Sequence, residues 1–305
     1  MRSLALKIAV TSAALAALGA VRLPLEQGLT AEFRTAHILT PPLDLATNEK
    51  LGQTTATVAL GGLRTLVAAL WNLRAFSFFE GQEWARLEDT FGTIVTLAPH
   101  TRYYWDTASW HLAYNAASGY LEDEHLPPVR RRQLWRDAIR RGQVFLERGI
   151  RNNPDDWVLP HRLGRLFDDR NKLPDLAKAA DWFGYSAARG APAYVARNQL
   201  YALGRLPGRE VEALTLARRL FADHGNRLPS LDCLLLALEA RAGADPAALA
   251  SKIFESPVQA WSQLGIYRHR GGEGYPQDGV DSALRSLERQ LNISPAESVF
   301  RPDSR

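Results

Sequence analysis

Small residues recur against aromatic ones at helical spacing through residues 142–204, and that stretch constrains what this chain can fold into more than any other. It carries Gly142, Phe145 and Gly149, then Asn153-Pro154-Asp155-Asp156-Trp157. Leu163-Gly164, Phe167, Ala179-Ala180-Asp181-Trp182-Phe183, Ala187 and Ala191-Pro192 follow. A small residue lets two helix backbones approach, and a ring one or two turns away fills the gap beside it. The pattern predicts antiparallel helix pairs. No window sustains period-2 alternation of Val, Ile and Thr, so the expected class is all-α.

A chain of 305 residues can bury a substantial core, and hydrophobic residues at 46% with charged residues at 23% exclude wholesale disorder. The formal charge of +4 falls to +2 without Arg2 and Lys7, too small a balance to argue for a nucleic-acid partner. The one cysteine, Cys233, rules out an intrachain disulfide. It sits in the apolar run Leu231-Asp232-Cys233-Leu234-Leu235-Leu236-Ala237-Leu238, which predicts a buried, inert thiol.

Residues 1–21 place Arg2 and Lys7 ahead of an apolar run that ends at Val21. This is the make-up of a signal peptide, with Ala14-Leu15-Ala16 as its cleavage site, or of an uncleaved signal anchor. Residues 22–53, with Pro24, Pro41 and Pro42, read as a linker. The apolar stretch within 54–79 reads as the buried first helix of the folded body. Arg64 and Arg74 argue against a second membrane span there, since each would cost about 2.5–3.5 kcal/mol near a bilayer centre. Residues 83–97 space Trp84, Leu87, Phe91, Ile94 and Val95 as an amphipathic helix, and a third helix is expected from Pro99. A linker at 122–128 precedes a helix that Asn153-Pro154 stops. Further helices are expected near 155–167, 173–189, 192–203, 210–224, 229–242, 246–255 and 257–268. A loop at 271–276 leads to a polar last helix, 279–291, suited to capping a solenoid. The helical-repeat body thus spans 54–291, and residues 292–305 form a tail.

Several groupings invite a chemical reading. Arg132, Arg136 and Arg140 are four apart and stack on one helix face, which reads as solvated beside Asp137 and Glu147. Tyr103, Tyr104, Trp105, Trp110 and Tyr114 are too close in sequence to share one face, so most fill the core while at least one turns to solvent or an inner surface. His111, His125, His161, His224 and His269 form no His-x-x-x-His pair, so no metal site is expected. No Gly-x-Ser-x-Gly elbow is present, and Gly61-Gly62 follows no strand, so neither a nucleophile nor a phosphate-binding cofactor loop is implied. Asp155 and Asp156 sit where a helix start welcomes acids, and Asp168-Asp169 reads as a polar inter-helix turn.

Leu163-Gly164, the following aromatic, and Ala, aromatic and Pro up to Pro192 keep close to the tetratricopeptide order, in a unit a few residues longer than the standard repeat. Leu60-Gly61-Gly62-Leu63-Arg64 with Leu70-Trp71-Asn72-Leu73-Arg74-Ala75, Trp110-His111-Leu112-Ala113-Tyr114-Asn115, and the run from Gly149 to Pro192 extend the likeness. Over residues 54–204 the chain resembles a loose group of bacterial exported or membrane-anchored proteins with tetratricopeptide-like repeats. The resemblance implies an N-terminal membrane segment and a degenerate helical-hairpin solenoid outside the cytoplasm, periplasmic or anchored in the inner membrane. It carries no activity.

The expected function is therefore a non-enzymatic scaffold that holds a protein or peptide partner on a helical-repeat groove, with the first helix of each pair supplying contacts. Tyr104, Asn115, Arg162, Arg165 and Arg197 are the candidate contact residues; no catalytic residue, metal ligand or cofactor is assigned. The alternative is a glycan- or small-ligand-binding helical domain, even an enzyme, which would need Asp106 to converge with Glu122 or Asp168.

Overall fold

The structure is a computed structural model and describes residues 63–301. The expected signal segment 1–21, the linker 22–53, the start of the repeat body to residue 62 and the end of the tail, 302–305, lie outside the described residues. All regular structure among the described residues is helical. The chain divides after Leu159 into two compact units: among the described residues the first holds four helices and the opening two residues of a fifth, and the second holds the rest of that fifth helix and seven more.

In the first unit α1 (Arg64–Glu80) and α2 (Trp84–Leu97) are joined by a tight turn with Gln82 at positive φ. Helix α2 has the predicted amphipathic spacing: Trp84, Leu87, Phe91, Ile94 and Val95 are all buried. Helix α3 runs continuously through Arg102–Trp110, a π-helical turn His111–Ala116, and Ala117–Glu122. It begins three residues after Pro99, whose carbonyl accepts bonds from Trp105 Nε1 at 2.7 Å and Asn153 Nδ2 at 3.1 Å, so the 98–101 turn stays outside the helix. Helix α4 (Pro128–Asn152) starts with Pro in its first turn, where a missing N–H costs nothing.

Pairwise contacts give the directions. Ala113 meets Gly142 and Trp105 meets Gly149, so position rises along α3 as it falls along α4, and the two are antiparallel. Both glycines are required by this approach. A Cβ on Gly142 would lie 2.7 Å from that of Ala113, and one on Gly149 would lie 2.8 Å from Trp105. Phe91 opposite His111 and Trp84 opposite Gly119 make α2 and α3 antiparallel as well.

Helix α1 departs from expectation. It was expected to be buried, yet only Ala68 and Ala75 are buried. The alanines let α2 approach on that side, and the leucines of α1 point away from it into solvent.

The second unit contains α5 (Val158–Asp168) from Pro160 on, α6 (Leu176–Ala187), α7 (Ala193–Leu203), α8 (Glu210–Ala222), α9 (Pro229–Arg241), α10 (Pro246–Ile253), α11 (Pro257–Arg268) and α12 (Val280–Leu291). Asp156 Oδ2 accepts from Leu159 N at 2.9 Å at the start of α5, the capping role expected of it. Helices α5 and α6 are antiparallel, with His161 packed on Phe183 and Asp175 N bonded to Phe167 O at 2.8 Å.

Across the hairpins the relation is different. His161 pairs with Asn198 and Asp168 with Arg205, both 37 positions on, so α5 and α7 are parallel and in fixed register. Arg197 pairs with Asn226 and Tyr201 with Ser230, both 29 positions on, and α9 continues the parallel row. Every residue of 231–238 is buried: α9 is apolar all round because neighbours surround it. At the end of the unit Arg268 meets Asp281 and Trp261 meets Glu288 across antiparallel α11 and α12. The described part of the tail folds back, with Val299 N donating to Glu288 at 2.9 Å.

Candidate functional site

The parallel row α5–α7–α9 sets polar side chains opposite one another at regular intervals. On α7, Tyr194, the pair Arg197-Asn198 and Tyr201 recur three and four apart on one side of the helix, and Arg205 follows just past its end. Toward α5, Asn198 Nδ2 lies 3.3 Å from His161 Nε2, the Tyr194 ring meets the His161 ring edge-on at 5.4 Å, and Arg205 pairs with Asp168. Toward α9, Arg197 donates to Asn226 Oδ1 at 2.5 Å, and the hydroxyls of Tyr201 and Ser230 share a 2.7 Å bond. The strip ends at Tyr275, which lies under the guanidinium groups of both Arg205 and Arg270. Arg270 in turn binds Glu273 at 3.1 Å, and Arg170 reaches the same carboxylate at 3.9 Å.

Electrostatics in this strip follow from burial and from its excess of guanidinium. Burial lowers His161 to about 4, and the cations of Arg162 and Arg165 add to the drop, so the ring is neutral at physiological pH. Burial also raises the Tyr201 and Tyr275 phenols, so both stay protonated hydrogen-bonding groups. On α9, Asp232 is only 8% exposed, and its Oδ1 is buried without a hydrogen-bond partner. Burial pushes that carboxyl up to about 6 against the pull of Arg227, with Glu255 adding to the rise.

Three of the five predicted contact residues belong to this unit. Arg162 and Arg165 are exposed on α5, and Arg197 is half-buried in the strip itself. Tyr104 and Asn115 lie in the first unit. Tyr104 is half-buried with its ring edge-on to Tyr103 at 5.5 Å, and Asn115 spends its amide on His111 Nδ1 at 3.0 Å. Asn198, Tyr201, Arg205 and Tyr275 were missed. Asn198 and Arg205 were within reach of the sequence: laying residues 161–168 over 198–205 pairs His161 with Asn198 and Asp168 with Arg205.

Other groups are placed less suggestively. Trp105 is buried, while Trp110 is exposed and stacks on Tyr114 at 4.4 Å beside the π-helical turn. Arg132, Arg136 and Arg140 are exposed, as a solvated face requires. Asp106 and Glu122 are 16 residues apart on α3, about 24 Å at a helix's rise, so they form no acid/base pair, and Asp168 is engaged by Arg205. Among the described residues no three His, Cys, Asp or Glu side chains group as metal ligands. Cys233 is buried, and burial pushes its thiol far above the usual range. In the first unit an open cleft of about 590 Å³ separates α2 from α4, with Glu88, Asp89, Arg141 and Arg148 around an apolar floor of Val144 and Phe145. Burial raises the Glu88 carboxyl, and Arg141 at 3.0 Å opposes that rise.

No family model matches this chain, and no curated protein matches it either.

Proposed function

We propose that this protein is a non-enzymatic scaffold of tetratricopeptide-like helical hairpins, working outside the cytoplasm, that holds an extended segment of a partner protein along α5–α7–α9. The observation that carries the reading is the fixed register of three parallel helices, which lines up donors, acceptors and rings from His161 to Tyr275. A repeat stack uses its row of first helices as a continuous binding surface. Arginines 162, 165, 170, 197, 205 and 270 outnumber the acids Asp168, Asp169, Asp223 and Glu273 along it, which favours an acidic partner segment. The N-terminal apolar run behind Arg2 and Lys7 supports a periplasmic location, free or anchored at the inner membrane.

Photocrosslinking in cells with the full chain tests this. A crosslinker at Arg165 or Asn198 should trap one protein, and one at Thr215 on the exposed side of α8 should not. Arg165→Glu should reduce the Asn198 crosslink on the order of tenfold without unfolding, because Arg165 is exposed and reversing one contact charge costs about that much. Equal labelling from Thr215, or none from the strip, would overturn the proposal.

A further inference from the structure

Helix α1 carries a ridge that the fold does not use. Leu63 at its N-cap, then Leu66, Leu70, Leu73 and Phe76, recur every three or four residues, and each is between 52% and 70% exposed. Other exposed large hydrophobic side chains of the described residues are scattered along several helices, and none of those helices carries a comparable row. Five large apolar side chains in line on one exposed helix face mark a contact surface.

Along the ridge α1 carries only positive charge, and its one acid, Glu80, stands at the far end. No acidic residue occurs between Glu49 and Glu80, whereas Arg64 and Arg74 flank the leucines. Arg74 lies over Trp71 at 5.2 Å and over Phe78 at 5.6 Å, an aromatic and guanidinium grouping suited to the headgroup level of a bilayer. At 17 residues α1 is about 25 Å long, short of the ~30 Å hydrocarbon core, and no described helix is long and apolar enough to cross a membrane. A helix too short to span, with an exposed apolar ridge and arginines among aromatic rings beside it, is suited to lie along the interface. The same chain has an uncharged apolar run ending at Val21, and the 41 residues of 22–62 leave α1 within reach of any membrane holding that run.

The geometry points to α1 as a membrane-surface helix: its leucines and Phe76 enter the acyl boundary of a bilayer, while Arg64 and Arg74 reach anionic headgroups. This surface is independent of the peptide-binding reading of α5–α7–α9, and either can fail alone.

The test uses the full chain with Cys233→Ala and a single bimane-labelled cysteine at Leu66, Leu70 or Leu73, or at Thr93 on α2 as the control. Vesicles contain phosphatidylethanolamine and phosphatidylglycerol, with acyl chains brominated in half the samples. The ridge positions should shift to the blue and lose roughly half their emission to brominated chains, while Thr93 keeps its own, as expected for side chains that enter the acyl boundary. Leu70→Asp with Leu73→Asp should abolish quenching at position 66 and leave the thermal midpoint and helix content unchanged. Two results would overturn the assignment. A blue shift without quenching would mean that residues 4–21 or a second copy cover the ridge, and no shift at all would mean that it stays in water.

Discussion

Glycine-to-alanine substitution separates helix propensity from packing in this molecule. Gly92 in α2 has open space where a Cβ would go, whereas a Cβ on Gly149 would lie 2.8 Å from buried Trp105. Gly92→Ala should therefore stabilise by about 0.5–1 kcal/mol through the backbone alone. Gly149→Ala should destabilise by about 1–3 kcal/mol, because Trp105 is held by its bond to Pro99 and cannot move aside. Thermal denaturation of the two variants checks the pair, and shifts of the same sign would refute the packing account.

At the scale of elements, caps set where helices begin. Asp175 accepts from Lys178 N at 3.0 Å ahead of α6, and that backbone bond above all holds the carboxyl below its usual range. Asp175→Ala should cost about 1 kcal/mol, measured by denaturant unfolding at neutral pH, with the difference shrinking in acid as the native carboxyl is protonated. Such signals made most helices legible. Pro229, Pro246 and Pro257 each open a helix where the sequence places one, Pro128 opens one a residue ahead of the expected start, and the spacing of Trp84, Leu87 and Phe91 gave the buried face of α2. Helix α1 was misread because an apolar run reports what avoids water and not which neighbour covers it. The π-helical turn in α3 was invisible, since no residue type demands an i→i+5 bond. Within the candidate strip the arginines of α5 and α7 were legible as charge. Their partners were not, because Asn226, Ser230 and Tyr275 come into range only when the hairpins stack.

For the molecule as a whole, two buried groups oppose each other in acid. Asp232 titrates near 6 in the fold against 3.8 ordinarily, so the native state holds the extra proton and stability falls as pH rises from about 4 to 6. His161 titrates near 4 against 6.5, so the unfolded chain holds the extra proton and stability rises over the same range. Each shift corresponds to roughly 3 kcal/mol, and the two contributions largely cancel. Asp232→Asn should expose a stability that climbs with pH between 4 and 6.5, and His161→Gln one that declines. Matching slopes in both variants would show that these groups do not govern the response. Chemical denaturation across that pH range reads both.

The register of α5, α7 and α9 also prescribes a metre for whatever lies across it. Neighbouring packed helices stand about 8–10 Å apart, and an extended chain advances about 3.3 Å per residue. A strand crossing the three helices therefore meets a new one at about every third residue. On the proposed binding mode, His161 on α5, Asn198 and Tyr201 on α7 and Ser230 on α9 would each meet a different residue of the partner, much as a comb catches only teeth of its own pitch.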